Sequence, residues 1–66
     1  SWHSKLFIAY QGAVQRGTVS EYAASNIAEY LAEGVGHYYE DPNLLRQKDP
    51  KLFELTRQLL ERAAQL

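Results

Sequence analysis

The sequence predicts an all-α fold. Apolar residues recur at intervals of three and four in three segments, no stretch alternates with period two, and Asp or Asn stands where helices would begin. The chain has 66 residues, so we expect a single helical segment without an extensive core. Its three main helices are predicted at about 2–16, 27–40 and 50–65, with a short turn of helix near 42–48.

The first predicted helix covers 2–16. Its apolar stripe consists of Leu6, Tyr10, Ala13 and Val14, widened by Phe7 and Ile8. We expect Trp2 to anchor the start of this helix. Gly17 stands where a left-handed C-cap is expected, and Arg16 places a cation at the negative end of the helix dipole. Residues 17–25 are predicted to form a connector.

The second predicted helix covers 27–40. Asn26 is a good N-cap and Glu29 follows three residues later, which is the spacing of a capping box. The apolar stripe consists of Ile27, Leu31, Val35 and Tyr38, with Tyr30 on its edge. Gly34 and Gly36 each cost up to about 1 kcal/mol relative to alanine in a helix interior. They therefore predict the close approach of another backbone.

Two Asp-Pro pairs mark the last two helix starts. In Asp41-Pro42 and Asp49-Pro50 the aspartate caps a helix, and the proline fills the first turn, where no N–H group is needed. The last helix begins at the second pair. Its apolar side consists of Leu52, Leu55, Leu59, Ala63 and Leu66, with Phe53 and Leu60 beside it.

Composition argues against several classes of partner. The chain has no cysteine, so a metal would have to be held by histidine or carboxylate groups. A net charge of −1 with interspersed signs argues against a nucleic-acid partner. No apolar run approaches the roughly 18 residues of a membrane span. The chain begins without methionine and directly in a helical pattern, so we expect it to be part of a longer protein.

The second predicted helix carries a line of possible metal ligands. Glu29, Glu33 and His37 are spaced by four residues and lie on one face of a helix. The two like charges repel, which is better explained if a cation or hydrogen-bond donors lie opposite them. Zinc or another divalent ion suits these donors. The alternative is a solvated face on which His37 pairs with Glu33.

Tyr22 is a second candidate for a functional group. It precedes Glu29 by seven residues and is predicted in the connector, where its phenol could point into a cleft and stabilise an oxyanion. Alternatively, its ring packs against the start of the second helix.

Residues 22–34 resemble the second half of the active site in zinc metallopeptidases related to the catalytic domain of anthrax lethal factor. The shared pattern is Tyr-x-x-x-Asn-x-x-Glu-aromatic-x-Ala-Glu, and it includes Asn26. The resemblance implies that Glu29 is the third zinc ligand and that Tyr22 assists catalysis. It also implies that Glu33 accepts a hydrogen bond from a zinc-bound histidine and so orients that imidazole.

The resemblance further implies that residues 1–66 are the C-terminal part of a zincin-like, zinc-dependent metalloendopeptidase domain. Such enzymes take two Zn²⁺ ligands and the general base from an upstream His-Glu-x-x-His helix, which this chain does not contain. His3 and His37 are separated by 34 residues and cannot replace it. We therefore expect the chain alone to be inactive.

The expected partners are the missing N-terminal half of the catalytic domain and a peptide or protein substrate. Because related proteins are often secreted, the resemblance also implies an extracellular location. The alternative is a small, non-enzymatic helical interaction module, or a degenerate and inactive metallopeptidase-like domain.

Overall fold

The computed structural model describes residues 1–65, and its fold is all-α. The five helices are α1 (Trp2–Arg16), α2 (Glu21–Ala24), α3 (Ile27–Glu40), α4 (Pro42–Lys48) and α5 (Pro50–Ala64). Within this part of the chain there is no strand. The three predicted main helices and the short fourth are confirmed. Leu66, predicted on the apolar side of the last helix, lies outside the described residues.

Local capping sets most of the helix ends. The side chains of Asn26, Asp41 and Asp49 each accept a hydrogen bond from the backbone N–H three residues later, at 2.9, 3.2 and 3.2 Å. Gly17 ends α1 with φ 69°, in the left-handed region that favours glycine. These four predicted helix boundaries are therefore confirmed.

The predicted connector contains a helix that the periodicity did not indicate. Ser20 caps α2 by accepting from the backbone N–H of Ala23 at 3.1 Å, and Glu21 places an acidic group in the first turn. The prediction that Tyr22 lies in a loop is thus wrong, because Tyr22 belongs to α2. One turn of helix is too short to show an apolar period.

The core lies where α1, α3 and α4 pack against α5, and α3 also packs against α1, α2 and α4. Its buried apolar residues are Leu6, Ala9, Ala13, Ala23, Tyr30, Leu45, Leu52 and Leu55. The predicted stripe of α1 is partly wrong, because Phe7, Ile8 and Val14 are 51%, 58% and 40% exposed. The residues of α1 turned inward are Leu6 and two small ones, Ala9 and Ala13.

The two glycines of α3 differ in their surroundings. A Cβ atom at Gly34 would lie 2.9 Å from Cγ of Leu52, closer than such contacts normally come, so α5 packs directly on this residue. The approaching group is a side chain rather than the predicted backbone. The expectation for Gly36 is wrong, because this glycine is exposed and a Cβ there would meet nothing within 4 Å.

A buried hydrogen bond joins α3 to the start of α5. The hydroxyl of Tyr30, fully buried rather than at the edge of the stripe, donates to Oδ2 of Asp49 at 2.5 Å. Burial, followed by this hydrogen bond, raises the pKa of Tyr30, so the phenol remains a donor at neutral pH. Asp49 also lies 3.9 Å from the guanidinium of Arg16. One carboxylate therefore links α1, α3 and α5.

Two further side-chain hydrogen bonds hold α1 in place. The indole N–H of Trp2 donates to the carbonyl oxygen of Leu55 at 3.1 Å, which confirms the predicted anchor. The hydroxyl of Tyr10 donates to the carbonyl oxygen of Ala24 at 2.7 Å. These contacts fasten α1 to α5 at one end and to α2 towards the other.

Thr56→Val is expected to raise the free energy of unfolding by about 1 kcal/mol, because a buried, unpaired hydroxyl is replaced by a methyl group of similar size. Thr56 is fully buried, and within residues 1–65 its Oγ1 has no hydrogen-bond partner. The control is Thr18→Val, since the hydroxyl of Thr18 donates to the carbonyl of Ala13 at 3.3 Å. Urea unfolding of the wild type and of both variants measures the change in the free energy of unfolding. Destabilisation by Thr56→Val would contradict the expectation.

Candidate functional site

The predicted line of polar groups lies along α3, with its two carboxylates in different surroundings. Glu33 accepts a hydrogen bond at Oε2 from the hydroxyl of Ser20 at 2.7 Å. Its other oxygen lies 3.8 Å from Nε2 of His37, which is an ion-pair distance when the imidazole is protonated and too long for a direct hydrogen bond. The pairing of His37 with Glu33, predicted as the alternative to a metal site, is therefore present as a contact at ion-pair distance.

Glu29 stands one turn earlier, in the first turn of α3. Its backbone N–H donates to Oδ1 of Asn26 at 2.9 Å, so the cap of the helix is formed. The reciprocal bond of a capping box, from the Glu29 carboxylate to the backbone N–H of Asn26, is not made. Within residues 1–65 the half-buried Glu29 carboxylate has no hydrogen-bond or ion-pair partner, so it remains available to bind another group.

Tyr22 is the outward-facing aromatic of α2. The residue is 67% exposed, so its ring is not buried against the start of α3. Its backbone carbonyl accepts from the hydroxyl of Ser25 at 2.6 Å, which closes the short helix. The phenol is therefore accessible to a partner or substrate and can donate a hydrogen bond.

Ser20 connects the helix of Tyr22 to the helix of the two glutamates. Its Oγ accepts from the backbone at the start of α2 and donates to Glu33 on α3. A single hydroxyl thus links α2 to the acidic face of α3. Sequence reasoning missed this residue, although Ser20 followed by Glu21 is the pattern of a helix start.

The described residues do not form a metal site by themselves. Within residues 1–65 no three His, Asp or Glu side chains lie together as a group that could hold a metal ion. A catalytic Zn²⁺ site commonly has three protein ligands. A metal held by Glu29 would therefore need at least one further ligand from outside residues 1–65.

Two clefts lie along the seam between α1 and α5, and neither is lined by Tyr22, Glu29 or Glu33. The larger, about 620 Å³, is lined by Trp2 and His3 on one side and by Leu59 and Arg62 on the other. The smaller, about 320 Å³, includes Ile8. Gln58 lines both. The periodicity of α1 could not reveal them, since it predicted Ile8 in the core.

Comparison with protein-family models, curated proteins and solved structures finds no match to this chain. None of the helices in residues 1–65 has the length and apolar character needed to cross a membrane. The fold and local geometry therefore define an all-α protein with an available carboxylate at the start of α3.

Proposed function

We propose that this chain is the C-terminal part of a zinc-dependent metalloendopeptidase domain. The observation that carries the proposal is the unequal environment of two carboxylates on one helix face. Glu33 already accepts a hydrogen bond, whereas the half-buried Glu29 accepts none within residues 1–65. This difference supports a division in which Glu29 is a metal ligand and Glu33 orients a histidine ligand.

Each residue then has a distinct task. The Glu29 carboxylate would hold Zn²⁺ together with two histidines from a His-Glu-x-x-His segment outside this chain. When bound, Zn²⁺ would lower the pKa of a water molecule and polarise the peptide carbonyl. Glu33 would accept a hydrogen bond from the N–H of a ligating imidazole and so fix its tautomer. The hydroxyl of Ser20 donates to Glu33 and holds it in position.

The exposed phenol of Tyr22 would donate a hydrogen bond to the carbonyl oxygen of the substrate as negative charge develops on it. Ser20 supports this role, because it joins α2 to α3 and so restricts where the helix of Tyr22 can lie. The substrate proposed is a peptide or protein, and the enzyme is complete only with the missing half.

The first experiment is intact-mass analysis of the natural protein, purified without chelator, together with its zinc content. A longer chain or a second polypeptide bearing His-Glu-x-x-His, with about one zinc per complex, is the expected result. A natural protein that has neither this motif nor bound zinc would overturn the proposal and favour the non-enzymatic helical module.

Tyr22→Phe in the complete protein is expected to lower kcat by roughly 10²- to 10³-fold, because one donor to the developing oxyanion is lost. Zinc content should not change. Tyr39→Phe is the matched control, since Tyr39 is 71% exposed and lies near the opposite end of α3. Equal turnover by the two variants in a peptidase assay would exclude the assigned role of Tyr22.

A further inference from the structure

A shallow groove lies between the outer sides of α1 and α5. We call it the α1–α5 groove; its volume is about 320 Å³, and it is lined by Lys5, Ile8, Lys51, Glu54, Leu55 and Gln58. Ile8 is 58% exposed although it is large and apolar, and Leu55 forms a floor that is only 5% exposed. The groove thus offers an apolar surface on which one side chain can be buried.

The charges at the groove favour an acidic partner. Lys5 and Lys51 provide one positive charge from each helix, and neither ammonium group has a hydrogen-bond or ion-pair partner within residues 1–65. The negative charge of Glu54 is offset by Arg57, whose Nε donates to it at 3.1 Å. Arg57 also pairs with Glu61, so it adds no free positive charge to the groove. Among the lining residues, two unpaired positive charges therefore stand against one negative charge that is already paired.

We propose that the α1–α5 groove binds an apolar side chain carried on an acidic peptide segment of another protein. A concave site of this volume suits one aliphatic or aromatic side chain, and carboxylates beside that side chain would face the two lysines. A flat lipid surface would not fill the concavity. The groove is formed by α1 and α5, whereas Tyr22 and Glu29 lie on α2 and α3, so this inference is independent of the metallopeptidase proposal.

The test uses two synthetic helical peptides with the same apolar residues, flanked by glutamates in one and by lysines in the other. Each is titrated into the isotopically labelled chain, and the backbone amide resonances are followed by NMR. We expect the acidic peptide to shift the resonances of Ile8 and Leu55 and to bind at least tenfold more tightly than the basic peptide. Equal affinity of the two peptides would overturn the proposal.

Two pairs of variants locate the binding site. Ile8→Gln should weaken binding of the acidic peptide at least tenfold, while Phe7→Gln, at a similarly exposed position outside the lining, should not. Lys51→Glu should weaken it by roughly threefold to tenfold, whereas Lys48→Glu makes the same charge change on α4 and should have little effect. Equal effects within either pair would contradict the assignment.

The same samples test other occupants of the α1–α5 groove. Resonances of Ile8 that shift with protein concentration alone would indicate a second copy of this chain. Binding to vesicles containing phosphatidylserine, lost in Ile8→Gln and without binding of the acidic peptide, would indicate a lipid surface. Either result would overturn the peptide assignment without affecting the roles proposed for Glu29 and Tyr22.

Discussion

Glu29→Gln is expected to lower the zinc affinity of the complete protein by more than about 100-fold. The amide keeps the size of the side chain but removes the negative charge that a Zn²⁺ ligand supplies. Loss of a group that only orients a ligand typically lowers metal affinity about 10- to 100-fold. Glu33→Gln should therefore lower zinc affinity by this smaller factor. Competition with a chelator of known affinity measures both variants.

The control for this result is Glu21→Gln, which removes the same charge from the exposed first turn of α2. It should leave zinc affinity unchanged. Loss of the Glu29 charge at the start of α3 costs that helix only about 0.3–1 kcal/mol, so the variant should remain folded by circular dichroism. A folded Glu29→Gln protein that binds zinc with full affinity would refute the ligand assignment.

Asp49→Ala should lower the free energy of unfolding by about 2–4 kcal/mol, more than any other substitution proposed for this chain. The substitution removes the cap of α5, worth about 1 kcal/mol, and leaves the buried hydroxyl of Tyr30 without its acceptor, which costs about 1–3 kcal/mol. A chain of this size has a total stability of only about 3–10 kcal/mol. Chemical denaturation of wild type and variant measures the loss.

Asp41→Ala is the matched control, because Asp41 caps α4 in the same way but is exposed and has no buried partner among residues 1–65. It should cost only about 1 kcal/mol. Tyr30→Phe should reduce the penalty of Asp49→Ala, since the orphaned hydroxyl is then absent. Equal losses for the two aspartates, with no such coupling, would contradict a special role of the buried pair.

The pH dependence of stability follows from the same contact. The folded-state pKa of Tyr30 is raised above its unfolded value, so any stability linked to its protonation is fully present below about pH 10. It is lost as the pH rises further, because the unfolded chain then releases the proton and the folded chain retains it. In Tyr30→Phe the free energy of unfolding, measured by chemical denaturation above about pH 10, should therefore decrease less with rising pH.

The candidate site was predictable only in part. Spacing alone places Glu29 and Glu33 on one face, because residues four apart are neighbours on any α-helix. The link from Ser20 to Glu33 joins residues 13 apart, through a helix of one turn that has no detectable period. The unequal surroundings of the two carboxylates depend on that link, so they appear only in the folded chain.

The sequence by itself determined the all-α class and the ends of the longer helices. Asn26, Asp41 and Asp49 act on backbone groups three residues away, and Gly17 alone accepts the left-handed C-cap without strain, so these signals are local.

Only the tertiary structure decided which sides of the helices became core. Ala9 and Ala13 face inward while Phe7 and Ile8 remain exposed, since small side chains let helices approach closely. The bond of Tyr30 to Asp49 spans 19 residues and depends on how α3 meets α5. Contacts across such distances depend on packing, which hydrophobic periodicity does not specify.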